Sequence, residues 1–450
     1  MGALFGTDGI RGIVNQTLDA PLAYRVGQAA ALVLAEQSNG RPLFLIGKDT
    51  RISSDLLEDA LTAGLLACGA DVMSLGIIPT PAVAYLTVAN HAAAGVVISA
   101  SHNPFAYNGI KIFSGAGFKL NDALEERIEQ LILSGGPLPT KQGAELGRVR
   151  SGEGQAERYL DHLVSTVPGG LAGRRILVDC ANGAAAATAP DLFSGFEIEA
   201  DFIHRKPNGV NINDHCGSTH LDSLAAMVTA GGYDLGVAFD GDADRCLMID
   251  EKGNLIDGDK TMAVCGLHMR DEGTLTGRAI VGTVMSNLGL HEFCNKNNIR
   301  LICTPVGDRN VLEKMLEFGY RIGGEQSGHT IFTDFATTGD GQLTALQFLQ
   351  ILRRSGKKAS ELASICPSYP QVLINVKLEN RPGLKEAVMA SPELAEAIRK
   401  EEESLGGDGR VLVRASGTEP LIRVMVEAKT QEQAADCAER LAAFVQTVKN

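Results

Sequence analysis

The sequence predicts an α/β protein with three similar doubly wound α/β domains and a smaller C-terminal α+β domain. Short apolar runs alternate with helix-like segments, a pattern typical of a mainly parallel sheet covered by helices. A chain of 450 residues is too long for one ordinary core, because a domain usually takes roughly 100–200 residues. From about residue 371 strands precede one long helix, which indicates a tail domain of another kind.

The first domain is predicted over residues 1–150. Its apolar runs and amphipathic segments predict strands at Arg41–Ile46, Asp71–Ile78 and Val96–Ser99, and helices at Ser53–Gly69 and Asp122–Ser134. Ser53 or Ser54 is expected to cap the first of these helices. A polar, Gly-rich stretch at 135–157 is interpreted as a linker.

Three further domains are predicted over residues 151–256, 257–370 and 371–450. The second is expected to contain strands Arg175–Val178, Leu235–Phe239 and Leu247–Ile249, and the third strands Ala279–Val284 and Leu301–Thr304 with the helix Leu343–Arg354. The last is expected to contain strands Val372–Leu378, Val411–Arg414 and Leu421–Val426 before the helix Gln431–Val448.

The composition excludes several classes of protein. A net charge of -13 argues against a nucleic-acid partner, since such proteins present a basic face to phosphates. No apolar run of about 18 residues occurs, so no membrane association is expected. The nine scattered cysteines contain no C-x-x-C pair, which favours reduced thiols and a cytoplasmic location.

The sharpest motif is D-G-D-A-D-R, which follows the apolar run L-G-V-A-F. Its carboxylates Asp240, Asp242 and Asp244 would repel one another unless a cation compensated them. Mg²⁺ prefers oxygen ligands and commonly combines a few carboxylates with phosphate oxygens. An EF-hand loop is the rival reading, but Arg245 occupies its sixth position, where a sharp turn requires glycine. A solvated acidic turn is the third possible interpretation of this motif.

A second motif, R-A-S-G-T-E-P-L-I-R at residues 414–423, contains the kinds of group that surround and bind a phosphate, and is called the phosphate cradle. Backbone amides and hydroxyls at its centre can surround an anion, and the flanking arginines can donate forked hydrogen bonds. An ordinary hairpin turn with exposed arginines is the alternative. The motif lacks the G-K-[ST] of a nucleotide-binding P-loop, so ATP is not implied.

Two weaker motifs are G-G-E-Q-S-G-H at residues 323–329 and G-T-D-G-I-R-G at residues 6–12. The first combines donors and acceptors that suit a polyhydroxylated ligand, although a polar turn explains it equally well. The second is a flexible loop in which Arg11 is a candidate phosphate ligand.

The segment G-V-V-I-S-A-S-H-N-P at residues 95–104 places polar groups at the end of a buried strand, where ligands often bind in α/β proteins. Ser101 and His102 are adjacent, so their side chains are expected to diverge in an extended segment, which argues against a hydrolytic Ser-His pair. A serine activated by a distant base, or one that carries a phosphate, remains open.

Together these loops resemble the α-D-phosphohexomutase superfamily over the whole chain. The motifs G-T-D-G-I-R-G, S-A-S-H-N-P, N-G-I-K, D-G-D-A-D-R, G-E-Q-S-G-H and R-A-S-G-T-E-P occur in that order. The resemblance implies that Ser101 carries a phosphate, and that Asp240, Asp242 and Asp244 bind Mg²⁺ together with it.

The resemblance also implies roles for the remaining site residues. It assigns general acid/base positions to Lys111 and His329, and contacts near the reacting phosphoryl group to Arg11 and Arg245. A lysine crowded by cations is expected to have its pKa lowered towards neutrality. The residues implied in substrate binding are Glu325 and Ser327 for the sugar, and Arg414, Ser416, Gly417, Thr418 and Arg423 for the phosphate that does not react.

Three features favour an amino-sugar branch of the superfamily: V-D-C-A-N-G-A at 178–184, N-I-N-D-H-C-G-S-T-H at 211–220, and Gln326. The implied reaction interconverts glucosamine 6-phosphate and glucosamine 1-phosphate through glucosamine 1,6-bisphosphate, ahead of UDP-N-acetylglucosamine and cell-wall precursor synthesis. Phosphomannomutase or phosphoglucomutase activity is the nearest alternative function. A non-catalytic sugar-phosphate sensor or a Ca²⁺-binding structural protein is a more distant alternative. The resemblance suggests a homodimer, and Ser101 could first be phosphorylated by a kinase, by a bisphosphate or by the protein itself.

Overall fold

The computed structural model describes residues 4–6, 8–36, 40–379, 381, 383–416 and 420–448, which form two compact units. The first unit takes the chain up to Met285 together with Ile299–Ile365, and the second takes Ser286–Asn298 together with the chain from Cys366 onward. Three mixed sheets lie in the first unit and one antiparallel sheet lies in the second. The α/β fold class predicted from the sequence is confirmed.

The first sheet has six strands. Its elements in chain order are β1 Ile10–Ile13, α1 Ala20–Ala35, β2 Leu43–Lys48, α2 Ser53–Ala67, β3 Asp71–Ile77, α3 Thr80–Ala89, β4 Ala94–Ile98, β5 Tyr107–Ser114, α4 Asp122–Leu133 and β6 Val149–Arg150. The strand order is β1-β5-β4-β2-β3-β6, in which β4, β2, β3 and β6 are parallel. β5 runs antiparallel to both of its neighbours.

The second sheet has the order β11-β10-β9-β7-β8 and repeats this plan. Parallel β7, β8 and β9 are extended at one edge by antiparallel β10 and β11. Its elements are α5 Gln155–Ser165, β7 Arg175–Asp179, α6 Ala185–Ser194, β8 Glu199–Ile203, α7 Asp222–Gly231, β9 Leu235–Phe239, β10 Cys246–Asp250 and β11 Leu255–Ile256.

The third sheet has the order β13-β12-β14-β15, with only β15 antiparallel. Its series comprises α8 Gly258–Asp271, β12 Ala279–Thr283, α9 Leu288–Lys296, β13 Arg300–Thr304, α10 Asp308–Phe318, β14 Ile322–Gly324, β15 Thr330–Phe332, α11 Gly341–Ser355 and α12 Ala359–Ala363. Within this series α9 belongs to the second compact unit. Short 3₁₀ segments lie at Gly143–Glu145, Gly217–Thr219 and Thr276–Arg278.

The second unit contains an antiparallel sheet of order β16-β18-β17. Its other elements complete the list: β16 Gln371–Lys377, α13 Leu384–Met389, α14 Pro392–Ser404, β17 Arg410–Ala415, β18 Leu421–Glu427 and α15 Gln431–Val448. Buried Glu427 accepts hydrogen bonds from the Leu288 amide at 2.9 Å and from Gln371 at 3.0 Å. This carboxylate therefore ties α9 to the sheet of the second unit.

The apolar residues fill the interior of these units. Strand β4 is buried along its whole length, because residues on both faces of a parallel strand are covered by helices. Phe44, Ile46, Val96 and Ile98 belong to one buried cluster of the first sheet. No helix in the described part of the chain combines the length and apolar character that crossing a bilayer requires.

Two local expectations are wrong. The segment predicted as a linker contains β6, which pairs in parallel with β3. Neither Ser53 nor Ser54 caps α2, which begins after Ile52 without a side-chain cap. The hydroxyl of Ser54 donates instead to Asp49 Oδ1 at 3.1 Å, so this side chain does not cap the helix.

Asp340 links two helices of the first unit. Its Oδ1 accepts the Leu343 amide at 2.9 Å and so caps α11, while its Oδ2 accepts the Tyr159 hydroxyl on α5 at 2.9 Å. Burial raises the pKa of Asp340 from its usual 3.8 to about 6, although both hydrogen bonds favour the carboxylate. The ionised form is therefore costly in the folded protein.

This pKa predicts a pH-dependent stability. Between pH 3.8 and about 6 the folded protein keeps a proton on Asp340 that the unfolded chain has lost. The free energy of unfolding should thus fall as the pH rises through this window, by up to about 3 kcal/mol. Asp340→Asn keeps the capping oxygen and removes the titration, so its stability relative to wild type should increase from pH 4 to pH 7 in thermal unfolding. The exposed-site variant Asp59→Asn is the control, and a difference from wild type that does not change with pH would contradict the assignment.

Candidate active site

Ser101 lies in the loop that follows β4. It is buried, and its hydroxyl donates to Asp240 Oδ2 at 2.6 Å. Its φ of 52° lies in the left-handed region, which costs a residue with a side chain about 1–2 kcal/mol. The surrounding hydrogen bonds must offset this cost, so the loop holds Ser101 in one specific orientation.

The imidazole of His102 lies beside this hydroxyl. Its Nδ1 is 3.4 Å from Ser101 Oγ and 3.3 Å from Arg245 Nη1. The expectation that the two side chains diverge is wrong, because it assumed an extended backbone and Ser101 is left-handed. The contact is longer than a normal O–H···N hydrogen bond, whereas the bond to Asp240 is short. Burial, with the charges of Arg245 and Arg11, lowers the pKa of His102 to about 4.

Three carboxylates project from the tight turn between β9 and β10. One oxygen from each of Asp240, Asp242 and Asp244 lies within 4.8 Å of the others, and all three residues are buried. The turn also packs closely against the serine loop, since a Cβ on Gly241 would lie 2.5 Å from the Ser101 carbonyl oxygen. The sequence-predicted serine and acidic motifs are therefore brought together.

The donor set fits a hard divalent cation. Burial and the charges of Asp244 and Asp242 hold the pKa of Asp240 well above its usual range, which shows that the three charges oppose one another. Oδ1 of Asp242 and Oδ1 of Asp244 are buried and accept no hydrogen bond within the described residues. Buried carboxylate oxygens normally find donors or a metal, so Mg²⁺ suits this cluster.

Lys111 on β5 is the main cation against this cluster. Its Nζ lies 2.7 Å from Asp242, 3.0 Å from Asp8 and 3.7 Å from Asp244. Burial disfavours the ammonium, but these three carboxylates outweigh it and raise the pKa of Lys111. The expectation of a lowered pKa is therefore wrong for this arrangement, because Lys111 is surrounded mainly by acids.

His329 follows the turn between β14 and β15 and lies against the same acids. Its Nδ1 is 3.7 Å from Asp244 and its Nε2 is 3.6 Å from Asp308. Burial opposes protonation, but these two carboxylates raise the pKa of His329. The ring is held firmly: the Gly339 amide donates to Nε2 at 3.1 Å, and a Cβ on Gly339 would lie 2.4 Å from that nitrogen.

Arg11 on β1 and Asp8, in the loop before that strand, pair with each other near Lys111. Asp8 also accepts from Lys119 at 2.5 Å, and Lys119 reaches Asp308 at 2.6 Å. Sequence reasoning did not single out Asp8, Lys119 or Asp308, because the contacts that join Asp8 to the two lysines and Lys119 to Asp308 span more than 100 positions along the chain. The one available signal for Asp8 was its place within a glycine-rich motif.

The predicted sugar loop is the turn between β14 and β15. Glu325 Oε1 accepts the Gly307 amide at 3.0 Å, and Gln326 donates to Asp257 at 3.2 Å. Ser327 is exposed. The turn thus presents a carboxylate and a hydroxyl on a backbone fixed by neighbouring loops.

The predicted phosphate cradle lies in the second unit. Arg414 on β17 is directly opposite Arg423 on β18. Burial and the charge of Arg423 lower the pKa of Arg414. Like charges facing each other across two strands are unfavourable, so this pair favours an anionic ligand. Ser416 directly follows β17, and its carbonyl accepts from Lys385 at 2.8 Å, whereas Gly417 and Thr418 lie outside the described residues.

The two motifs that favour the amino-sugar branch, residues 178–184 and 211–220, lie next to the serine and acidic loops. Asn213 donates to the Ser101 carbonyl at 2.9 Å, and the Asn182 carbonyl accepts from Thr50 at 2.5 Å. Asp179, His204 and Cys216 also place ligand-type atoms within 4.8 Å of one another. Asp179 accepts backbone amides on both of its oxygens, so its carboxylate already organises the turns around it.

Comparison with known proteins identifies the family of this chain. Family models described as phosphoglucomutase/phosphomannomutase alpha/beta/alpha domains I, II and III match residues 2–137, 157–253 and 257–369, and the C-terminal domain model matches residues 373–444. The chain belongs to the phosphoglucomutase/phosphomannomutase family, within the α-D-phosphohexomutase superfamily.

Individual relatives are similar over the full chain. A phosphoglucosamine mutase of Clostridium novyi (strain NT) is 51% identical over 453 residues and covers 100% of both chains. One of Desulforudis audaxviator (strain MP104C) is 51% identical over 446 residues and covers 99% of this chain and 98% of its own.

Solved structures share the fold at lower identity. A phosphoglucomutase/phosphomannomutase family protein from Burkholderia thailandensis has a TM-score of 0.81 at 22% identity, with 100% of this chain and 98% of that chain covered. The N-acetylphosphoglucosamine mutase of Aspergillus fumigatus, solved with GlcNAc-6P and magnesium, has a TM-score of 0.73 at 18% identity, with 99% of this chain and 96% of that chain covered.

The acidic turn predicts a measurable cation affinity. Mn²⁺, a spectroscopic substitute for Mg²⁺, should bind the wild-type protein, and Asp242→Asn should weaken that binding by about tenfold or more, because one charged ligand is lost. Electron paramagnetic resonance titration measures this directly. Asp222→Asn, at an exposed acid on α7, should bind like wild type, and equal affinity in Asp242→Asn would remove the acidic turn as the metal site.

Proposed function

We propose that this chain is a phosphoglucosamine mutase, which interconverts glucosamine 6-phosphate and glucosamine 1-phosphate through phospho-Ser101. The observation that supports it most is the 2.6 Å hydrogen bond from Ser101 to Asp240, inside a buried cluster of three carboxylates. Curated relatives that are 51% identical over the full chain carry this activity in their names. The product would supply UDP-N-acetylglucosamine and cell-wall precursor synthesis.

The proposed reaction has two phosphoryl transfers. In the first, the bond between Ser101 Oγ and phosphorus breaks and a bond from phosphorus to O1 of glucosamine 6-phosphate forms; the O1 proton passes to a base and Ser101 Oγ takes up a proton. The resulting glucosamine 1,6-bisphosphate reorients. In the second transfer the bond between O6 and phosphorus breaks and a bond from phosphorus to Ser101 Oγ forms; Oγ gives up its proton and O6 takes up a proton. Phosphoryl groups and protons balance over the cycle, so no nucleotide is consumed.

Positioning and charge stabilisation are the main requirements of phosphoryl transfer. A Mg²⁺ ion held by Asp240, Asp242, Asp244 and the Ser101 phosphate would neutralise charge on the migrating group. Arg245 and Arg11 carry guanidinium groups that suit the equatorial phosphoryl oxygens.

Lys111 and His329 are the proposed proton-handling residues. Lys111 keeps its proton at Nζ among three carboxylates, so we assign it the donor role, in which it stabilises the oxygen that loses the phosphoryl group. His329 can hold or release a proton on a ring that is fixed by Gly339 and faces Asp244 and Asp308.

Substrate binding is assigned to two sets of groups. Glu325 and Ser327 offer an acceptor and a hydroxyl to the sugar. The phosphate that does not react is assigned to the cradle residues Arg414, Ser416, Gly417, Thr418 and Arg423, since paired arginines favour a dianion. A homodimer, and a kinase or autophosphorylation as the source of the first phosphate, are further expectations carried by the resemblance.

The substrate assignment can be tested by comparing sugars. Glucosamine 6-phosphate should show a kcat/KM at least about tenfold above those of the glucose and mannose phosphates. Wild-type protein should contain one phosphate by intact mass, and Ser101→Ala should lose both that phosphate and turnover of all three sugars. A higher kcat/KM for glucose or mannose phosphate would favour the phosphoglucomutase/phosphomannomutase alternative, and tight binding without turnover would favour a sensor.

The cradle assignment predicts a defect in binding. Arg414→Ala should raise KM for glucosamine 6-phosphate by about tenfold or more and change kcat less, because the lost contact acts before and during the reaction alike. Steady-state kinetics separate the two terms. Arg399→Ala, at an exposed arginine on α14, is the matched control. A fall in kcat at unchanged KM in Arg414→Ala would contradict a role for Arg414 in binding the phosphate that does not react.

A further inference from the structure

We propose that Asp49 and Arg51, which follow β2, form a positioning unit that holds Ser101 in its phosphoryl-transfer geometry. This inference rests on the proposed function, because it concerns how the serine is oriented for that reaction. Neither side chain approaches the acidic turn within hydrogen-bonding distance. Both are completely buried beneath the serine loop, residues 99–107.

Arg51 directs both terminal nitrogens of its guanidinium to this loop. Its Nε donates to Asp49 Oδ2 at 2.8 Å. Its two terminal nitrogens donate to four backbone carbonyls, those of Pro104 at 2.5 Å, Tyr107 at 3.0 Å, Ser101 at 2.9 Å and Asn103 at 2.8 Å. A guanidinium has five N–H groups in a planar fork, and these bonds use all five. One side chain therefore fixes four carbonyl groups of the loop.

Asp49 holds the other side of the loop. Its Oδ1 accepts from the Arg51 amide at 3.0 Å and from Ser54, and its Oδ2 accepts from Ser99 Oγ at 2.7 Å as well as from Arg51 Nε. Ser99 Oγ in turn accepts the Ser101 amide at 2.9 Å. The amide of Ser101 is thus connected to Asp49 through one hydroxyl, and its carbonyl is connected to Arg51 directly.

The loop between β8 and the 3₁₀ segment Gly217–Thr219 completes the arrangement. Asn213 donates to the Ser101 carbonyl at 2.9 Å and to the Asn103 carbonyl at 3.3 Å, the same two oxygens that Arg51 Nη2 contacts. Both peptide groups of Ser101 are consequently anchored, the amide by Ser99 and the carbonyl by Arg51 and Asn213. This anchoring explains how a serine with φ of 52° can direct its Oγ to Asp240.

The unit also reduces the electrostatic repulsion that backbone carbonyls would exert on a phosphoserine. Carbonyl oxygens are the negative ends of peptide dipoles, and a phosphate would be repelled by any that faced it. Arg51 directs four of them to itself. A lysine cannot replace it, because an ammonium has three donors and no planar fork.

The test compares Arg51→Lys and Ser99→Ala with Arg25→Lys in the same chain. Arg25 also donates to backbone carbonyls, those of Leu131, Ile132 and Gly136, but these lie at the end of α4. Arg51→Lys should lower kcat by about 10–100-fold with KM within about threefold of wild type, since misplacement of a reacting group affects the chemical step. Ser99→Ala should lower kcat by about 3–10-fold, whereas Arg25→Lys should keep kcat.

Thermal stability and the phosphoserine signal in ³¹P NMR separate positioning from simple loss of structure. Arg51→Lys and Ser99→Ala should shift that signal, and Arg25→Lys should not. If Arg51→Lys does not fold, Ser99→Ala decides. The inference would be overturned by a wild-type kcat in Ser99→Ala, or by equal losses of kcat in Arg51→Lys and Arg25→Lys. In either case an active, phosphorylated wild-type protein would leave the proposed function intact. An inactive wild type without phosphate would overturn both.

Discussion

The electrostatic conflict among three buried carboxylates is the constraint on which the site depends. One carboxylate oxygen from each of Asp240, Asp242 and Asp244 lies within 4.8 Å of the others in a buried turn. Like charges so close are unfavourable unless cations or hydrogen-bond donors compensate them. The protein supplies Lys111 and the Ser101 hydroxyl, while two carboxylate oxygens accept no hydrogen bond from the residues that the structure describes, an arrangement that suits a divalent cation.

The antiparallel strands of the mixed sheets explain how these groups meet. β10 returns directly beside β9, so the three acids occupy a tight turn at the end of a buried strand. β5 returns beside β4 with Lys111 opposite Val97, which brings a lysine ten positions after Ser101 back towards the serine loop. The spacing of the S-A-S-H-N-P and N-G-I-K motifs is therefore a consequence of this strand pairing.

Much of this site follows from the sequence, because its strongest signals are local. Alternate acids after an apolar run predict a compensated turn, and the order of the motifs indicates the family. The sequence does not reveal Asp8, Asp308 or Arg51, since their partners come together only in the folded chain. Two inferences about the site failed for different reasons. The backbone of Ser101 is left-handed rather than extended, and Lys111 is surrounded by acids contributed from distant loops.

Transfer of a phosphoryl group to and from Ser101 is the central claim, and a single-turnover experiment tests it most directly. Protein carrying ³²P on Ser101 would be mixed with excess glucosamine 6-phosphate and quenched at successive times. The account predicts that the label leaves the protein and appears in glucosamine 1,6-bisphosphate at least as fast as the steady-state turnover. Label that stays on Ser101 while glucosamine 1-phosphate accumulates would contradict it.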